Sequence, residues 1–250
     1  MIKALRIFLF VILLFTGNLM LIVIRMFCPS INNLLTSGFF LLLTVSELLY
    51  IIPALPLYML ITRQKFADIA PIKPLSRENT GYILLMSVLI EPAAAFLSAV
   101  TTIFYPNAAF EITSGITADN FQAAFIGIAI VPAIAEEICF RGAVLHASRG
   151  MSIKSAAIVN GILFGLFHMN LQQIPYAIFL GVILSLFVIY TRSVLSSMLA
   201  PFLLNASNLV LSLAPINVPI SFGMLFVIAF VFFIGFLSVF KQFRMYNLEV

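Results

Sequence analysis

Charged residues are scarce in this chain of 250 residues: they make up 9% of it, against about 25% in an average soluble protein. That scarcity excludes a disordered chain and a nucleic-acid-binding domain, both of which need far more charge. The two cysteines are too few for a secreted disulfide scaffold. Apolar residues reach 63%, with a mean hydropathy of +1.18, which is more than a soluble fold of this length can bury. The composition therefore predicts one polytopic membrane domain over residues 1–250, surrounded by the lipid bilayer and with no nucleic-acid partner.

Several apolar segments are long enough, or nearly so, to cross a bilayer. A span needs about 20 mostly apolar residues, because the hydrocarbon core is about 30 Å thick and a helix rises about 1.5 Å per residue. We predict an all-α bundle of about eight transmembrane helices, at residues 5–25, 37–61, 82–104, 122–148, 154–168, 174–191, 194–213 and 220–240. Segment 154–168 is short for a full crossing, so we expect it to end inside the bundle.

Basic residues alternate from loop to loop along the predicted bundle. The loop at 62–80 contains four lysines and arginines, whereas the loop at 105–120 contains none. Later connections follow the same alternation, with Arg149, Arg192 and Lys241 marking the basic ones. Because basic loops stay on the cytoplasmic side, this pattern predicts that both termini are cytoplasmic, with Arg25 as the one exception. We expect an integral, multi-pass protein of the plasma membrane.

Two glutamates and an arginine form the densest polar cluster inside a predicted span. A charge at bilayer depth costs about 2.5–3.5 kcal/mol on insertion scales, so each one calls for a functional explanation. Glu137 and Arg141 are four residues apart and are expected to pair on one helix face. Glu136 lies about 100° around the helix from Glu137 and is free to face a neighbouring helix. A purely structural ion pair would need only one glutamate, so Glu136 is a candidate catalytic residue.

A second polar group lies at the end of the short segment 154–168. Phe164 and His168 share one helix face, because they are four residues apart. Gly161 and Gly165 allow another helix to approach closely. A lone histidine at a helix end is more often a satisfied polar group than a catalyst, so its interpretation depends on its neighbours.

The third polar group, Asn205 and Asn208, follows Pro201 in the span 194–213. Glu136 is 13 residues before Arg149, His168 is 14 residues after Lys154, and Asn205 is 13 residues after Arg192. At about 1.5 Å per residue, all three are expected about 20 Å from the cytoplasmic ends of the helices. Three helices would thus bring a carboxylate, an imidazole and a carboxamide to one membrane level.

These groups suit hydrolysis by an activated water. A carboxylate beside an imidazole can hold and deprotonate a water, and an amide such as that of Asn205 can stabilise an oxyanion. Zinc is the alternative cofactor, held by Glu136, Glu137 and His168. It usually takes three firm ligands plus water, and only one histidine is available in the cluster. We therefore expect a reaction with no metal and no cofactor.

The motifs resemble those of the CAAX protease and bacteriocin-processing family, also called the Abi family, which is related to the Ras-converting-type CAAX prenyl endopeptidases. Its Glu-Glu-x-x-x-Arg motif is complete here as Glu136, Glu137 and Arg141, and its Phe-x-x-x-His motif is complete as Phe164 and His168. The resemblance covers about residues 120–212. It implies that these are the catalytic helices, with residues 1–115 forming the N-terminal spans and 220–240 the last span.

In the family's mechanism, the first glutamate and the second-motif histidine activate water, while a third-motif histidine and asparagine hold the oxyanion. Carried over, the resemblance implies that Glu136, Glu137, Arg141, His168 and Asn205 are catalytic. Phe164 and Asn208 are expected to contact the substrate.

The third motif departs from the family pattern. Alignment of residues 196–200 places the family's asparagine on Asn205 and its histidine on Pro201. Proline donates no hydrogen bond from its side chain or its backbone. Loss of one oxyanion donor costs about 10²–10³ in rate in other enzymes.

Three functions stay open at this point. The first is an intramembrane endopeptidase acting on membrane-associated or CAAX-type substrates, that is, on a peptide or a lipidated protein. The second is a catalytically impaired relative that acts in bacteriocin self-immunity or protein binding, which Pro201 favours. The third is an ion- or proton-coupled carrier, whose polar sites would be Glu47 and Glu91.

Overall fold

The computed structural model describes residues 7, 10–14, 38–107, 113–213 and 220–249, and every regular element within these ranges is a helix. The helices are α1 (Phe39–Thr62), α2 (Phe66–Ile69), α3 (Arg77–Thr102), α4 (Phe121–Ala147), α5 (Ile153–Phe167), α6 (Ile174–Thr191), α7 (Leu195–Leu213) and α8 (Phe222–Glu249). The predicted all-α membrane bundle is confirmed.

Five of these helices, α3, α4, α6, α7 and α8, are long and apolar enough to cross a membrane. Helix α5 has only 15 residues, in line with the short segment expected from the sequence. Of the predicted span 5–25, only residues 7 and 10–14 are described, and the rest lies outside the described residues. Eight spans are compatible with this arrangement, and the number stays a prediction.

The basic connections of the sequence meet at one end of the bundle, which we call the basic end. Here the Arg149 guanidinium donates to the Asp68 carbonyl at 2.9 Å, and the Ser193 hydroxyl donates to the Lys73 carbonyl at 2.7 Å. At the opposite end, the Thr101 hydroxyl donates to the Gln172 carbonyl at 2.8 Å. The alternation of basic and non-basic loops therefore corresponds to the two ends of the bundle.

Helices α5 and α6 form a tightly packed hairpin because glycines lie at their contact. A Cβ atom added to Gly161 would lie 2.8 Å from the Ile178 carbonyl oxygen, and one added to Gly165 would lie 2.9 Å from the Ile174 carbonyl oxygen. Contacts this short to backbone atoms leave no room for a side chain. The close approach predicted from the two glycines is confirmed, and it sets the position of the α5–α6 turn that carries His168.

The Gly161→Ala variant is expected to destabilise the protein by about 1–3 kcal/mol, because the new methyl group must push two helix backbones apart. The matched control is Gly223→Ala, since nothing lies within 4 Å of a Cβ at Gly223. Thermal unfolding in detergent measures both variants. Equal melting temperatures for the two would show that the hairpin contact is not tight.

Helix α4 is not a regular α-helix: residues Phe125–Ile130 and Ile138–Val144 are π-helical, and Val131–Glu137 between them is α-helical. Each π segment has a carbonyl that accepts from an asparagine on a neighbouring helix. The Asn205 amide of α7 donates to the Ile128 carbonyl at 2.9 Å, and the Asn160 amide of α5 donates to the Phe140 carbonyl at 2.5 Å. Such insertions interrupt the normal helical ladder, and π segments are frequent at functional sites.

Proline explains the first of these interruptions. Pro132 has no N–H, so the carbonyl four residues before it, that of Ile128, lacks its α-helical donor. The Asn205 side chain supplies that donor instead. The two asparagines thereby dock α7 and α5 on either side of the short α-helical segment that contains Glu136 and Glu137.

Candidate active site

Glu137 and Arg141 form the predicted ion pair, with 2.8 Å between Glu137 Oε1 and Arg141 Nη1 and with both residues 1% exposed. The guanidinium carbon of Arg141 lies 4.1 Å from the centre of the Phe164 ring, a cation–π contact between α4 and α5. The Phe164 ring in turn meets the His168 ring edge-on, with 4.8 Å between their centres. The first two sequence motifs are therefore joined in one continuous chain of side-chain contacts.

His168 ends α5 and is held by a hydrogen bond of 2.9 Å between its Nδ1 and the Phe164 carbonyl oxygen. A carbonyl can only accept, so Nδ1 carries the proton and donates. In the neutral imidazole the lone pair is therefore on Nε2, the nitrogen turned away from that carbonyl. This is the arrangement that a general base or a water-binding group requires.

Glu136 is set apart from the ion pair, as the sequence spacing predicts. Its side chain is half-buried, and no hydrogen bond or ion pair joins it to the described part of the chain. It interacts electrostatically with Tyr176, near the start of α6. Because α5 and α6 are packed as a hairpin, Tyr176 lies at the same end of that hairpin as His168. This interaction places Glu136 toward the end of the hairpin that carries His168.

Asn205 does not lie directly opposite Glu136. Its hydrogen bond is to Ile128, which precedes Glu136 by eight residues, or about 12 Å along the helix axis. The Glu136 side chain points back toward the N-terminus of α4, as all helical side chains do, and this shortens the gap. One of the two Asn205 N–H groups is used by Ile128, which leaves one for another acceptor. Equal depth for Asn205 and Glu136 stays a prediction, and the carbonyl freed by Pro132 draws the Asn205 amide toward the N-terminal part of α4.

The substrate-contact candidates occupy different environments. Phe164 is 6% exposed, and its ring is surrounded by Arg141, His168 and Phe140. Asn208 is exposed, and its amide lies 3.4 Å from a carboxylate oxygen of Glu91 on α3. Asn208 is therefore accessible to a substrate, whereas Phe164 supports the groups around it.

Glu47 also lies near the site, although its sequence context did not indicate this. It interacts electrostatically with His168. Thr44 is three residues before Glu47 on α1 and Ile51 is four residues after it, and both side chains face α4. A Cβ on Gly127 of α4 would lie 2.7 Å from the Thr44 hydroxyl. Ile51 belongs to the hydrophobic core that includes Phe140 of α4. The signal that could have placed Glu47 is its helical spacing from these two residues, which predicts one shared face.

Ser197 is another residue that motif reasoning missed. It is fully buried on α7, its hydroxyl donates to the Val194 carbonyl at 3.0 Å, and it lies beside the Glu137 carboxylate. Helix α7 runs antiparallel to α4, which places Ser197 near Glu137 while Asn205 is opposite Ile128. Cys139 is buried and free. In the described part of the chain, no three histidine, cysteine, aspartate or glutamate side chains come together as metal ligands.

Residues 119–207 match a family described as Rce1-like, type II CAAX prenyl endopeptidase Rce1-like. The matched segment is 89 of the 250 residues. Comparisons with the curated proteins and with the solved structures gave no match. The matched residues contain α4, α5, α6 and most of α7, and with them Glu136, His168 and Asn205.

The Rce1-like domain confirms the resemblance seen in the motifs and relates the chain to a family of CAAX-type intramembrane proteases. Together with the five apolar helices, it shows that this is an integral membrane protein. That family's description names a CAAX prenyl endopeptidase, an enzyme that acts on prenylated proteins.

Proposed function

We propose that this protein is an intramembrane endopeptidase that hydrolyses peptide bonds of membrane-associated or CAAX-type substrates. Its nucleophile is a water molecule activated by Glu136 and His168, without a metal. The observation that carries the proposal is the chain of contacts from Glu137 through Arg141 and Phe164 to His168. These contacts fix the imidazole of His168 and leave its Nε2 free. Glu136 is adjacent to Glu137 in the sequence and has no hydrogen-bond partner in the described part of the molecule.

Each residue then has a distinct role. Glu136 takes one proton of the water as the water attacks the scissile carbonyl, and it then returns that proton to the leaving amine. His168 Nε2 accepts a hydrogen bond from the other O–H of the water and so orients it. Arg141 neutralises Glu137, so the pair positions α4 without competing for the water. Asn205 offers its remaining N–H to the oxyanion.

The surrounding residues position this machinery. Phe164 holds Arg141 and His168 apart at fixed distances, and Asn208 contacts the substrate from the exposed side of α7. We also propose that the basic end faces the cytoplasm, that both termini lie on the cytoplasmic side, and that the host is the plasma membrane.

A comparison of membrane proteomes tests the proposal. Peptide termini are mapped in cells that express the wild-type protein or no protein, and the same cells are examined with the Glu136→Gln variant. We expect new termini near membrane segments with the wild-type protein only. Identical sets of termini in all three would contradict the assignment as a protease.

A catalytically impaired relative that acts in bacteriocin self-immunity or protein binding is the second candidate, and two observations favour it. Pro201 occupies the position of the family's third-motif histidine, and one N–H of Asn205 is already bound to Ile128. The oxyanion hole would then have a single donor.

The Pro201→His variant separates the two candidates, with Pro201→Ala as its matched control. Both substitutions remove a proline from the interior of α7, so they share any effect on helix geometry, and only histidine adds a donor. For an active enzyme we expect cleavage rates of the two variants within about tenfold of each other, measured on the substrate found above. A rate about 10²–10³ higher for Pro201→His than for Pro201→Ala would mark the native protein as impaired.

A further inference from the structure

A cavity of about 550 Å³ opens at the basic end of the bundle, on a different part of α4 from Glu136. Its walls come from the segment between α1 and α3, from the end of α4, from the start of α5 and from the end of α6. Neither Glu136 nor His168 lines it. The proposed hydrolysis therefore leaves this cavity without a role.

The cavity is rich in positive charge. Lys73, Arg149 and Arg192 line it and are exposed, whereas Asp68 is the only acidic residue among the lining residues of the described chain. The Arg149 guanidinium donates to the Asp68 backbone carbonyl, so the contact between these two residues involves no carboxylate. Three cations against one anion leave an excess of positive charge, which attracts an anionic group.

A buried arginine forms another part of the wall. Arg141 lines the cavity and precedes Arg149 by eight residues, about 12 Å along α4. Its Nη1 is bonded to Glu137, but its Nε and Nη2 are buried and have no hydrogen-bond partner in the described part of the chain. Buried donors without acceptors are costly, and a ligand oxygen would satisfy them.

The remaining walls are apolar. Leu145, Ala156 and Val188 are buried side chains that line the cavity and belong to one hydrophobic cluster. A fully hydrated inorganic ion gains no free energy from contact with apolar walls, whereas the apolar part of an amphipathic anion covers them. Planar guanidinium groups are well suited to phosphate oxygens.

We propose that this cavity is a binding site for a phosphate-headed anion, of the kind that a membrane phospholipid presents at the level of its headgroup. The phosphate lies among Lys73, Arg149 and Arg192, and the apolar part lies along Val188 and its neighbours. Because Arg141 joins this cavity to Glu137, an occupant would also stabilise the ion pair behind the catalytic helix. The assignment is independent of whether the protein cleaves peptides.

Native mass spectrometry of the full-length protein in detergent tests the site, with phosphatidylglycerol, phosphatidylcholine and inorganic phosphate as separate probes. The Arg192→Asn variant is the main test, and Arg63→Asn is its matched control. Both arginines are exposed, both end a helix at a backbone φ of 54°, and both lie at the basic end, but only Arg192 lines the cavity. Asparagine tolerates that left-handed conformation.

We expect Arg192→Asn to weaken phosphatidylglycerol binding about fivefold, because one basic residue near a phosphate is worth about 1 kcal/mol. Lys73→Gln should weaken it by a similar factor, and Arg63→Asn should leave it unchanged. Competition by millimolar inorganic phosphate would identify a free phosphate compound as the source, whereas failure to compete would identify the lipid. Equal effects of Arg192→Asn and Arg63→Asn, or equal binding of phosphatidylglycerol and phosphatidylcholine with no binding of phosphate, would overturn the assignment.

Discussion

Replacement of Glu136 by glutamine is expected to lower the cleavage rate by about 10²–10⁴, the usual contribution of a general base. Glutamine keeps the size of the side chain and loses the ability to take a proton. The carboxylate has no hydrogen-bond partner in the described residues, so its removal should leave the fold intact. Initial cleavage rates in reconstituted liposomes measure the loss of catalysis. The melting temperature of the same preparation measures whether the fold is intact.

Glu91→Gln is the matched control for this prediction. Glu91 is also a half-buried glutamate in a membrane helix, and glutamine can still accept the Asn208 amide. We expect it to retain near-normal cleavage. If Glu136→Gln cleaved at the wild-type rate, another group would act as the base and the proposed role of Glu136 would be contradicted.

A transport assay tests the carrier hypothesis. If vesicles took up a solute in a proton-dependent way, and Glu91→Gln abolished this uptake while Glu136→Gln did not, the carrier would be favoured instead.

Removal of Arg141 is expected to have the largest effect on stability. Arg141→Met leaves Glu137 as a buried carboxylate without its ion-pair partner, and breaking a buried pair on one side costs about 3–5 kcal/mol. It also removes the cation over the Phe164 ring, which holds His168 in place. Both the free energy of unfolding and the cleavage rate should therefore fall.

The double variant Glu137→Leu with Arg141→Met distinguishes stability from catalysis. Replacing both charges by apolar groups of similar size removes the uncompensated charge, so most of the lost stability should return. Cleavage should remain low, because the cation–π contact that orients the histidine is still absent. Denaturant unfolding and cleavage rates of the two variants measure this. A double variant as unstable as Arg141→Met would mean that the cost comes from lost packing.

Much of this arrangement follows from local sequence rules. The pairing of Glu137 with Arg141 needs only their spacing on a helix, and the tight α5–α6 hairpin follows from Gly161 and Gly165. The length of α5 follows from the short apolar segment, and the gathering of basic loops at one end follows from their alternation. These are properties of single helices or of neighbouring ones.

What the sequence could not predict depends on contacts between helices distant in the chain. Residue counting predicts Asn205 level with Glu136, but it does not reveal that the carbonyl freed by Pro132 binds the Asn205 amide. The π-helical turn around Phe140 depends on an asparagine from α5, which no pattern within α4 reveals. Ser197 carries no motif, and Glu47 has only its helical spacing from Thr44 and Ile51 as a signal, so tertiary packing is what brings both to the site.

Cysteine cross-linking between positions 136 and 168 is the most direct test of the central claim, which is that one water lies between Glu136 and His168. Glu136→Cys and His168→Cys are combined in a chain whose own Cys28 and Cys139 are replaced, and membranes are treated with a short bifunctional thiol reagent. The control pairs His168→Cys with Ile134→Cys, an exposed position about 160° around α4 from Glu136. We predict efficient cross-linking of the 136–168 pair and little of the 134–168 pair. Cross-linking of the control pair alone would place Glu136 and His168 on different sides of the bundle and would contradict the hydrolytic mechanism.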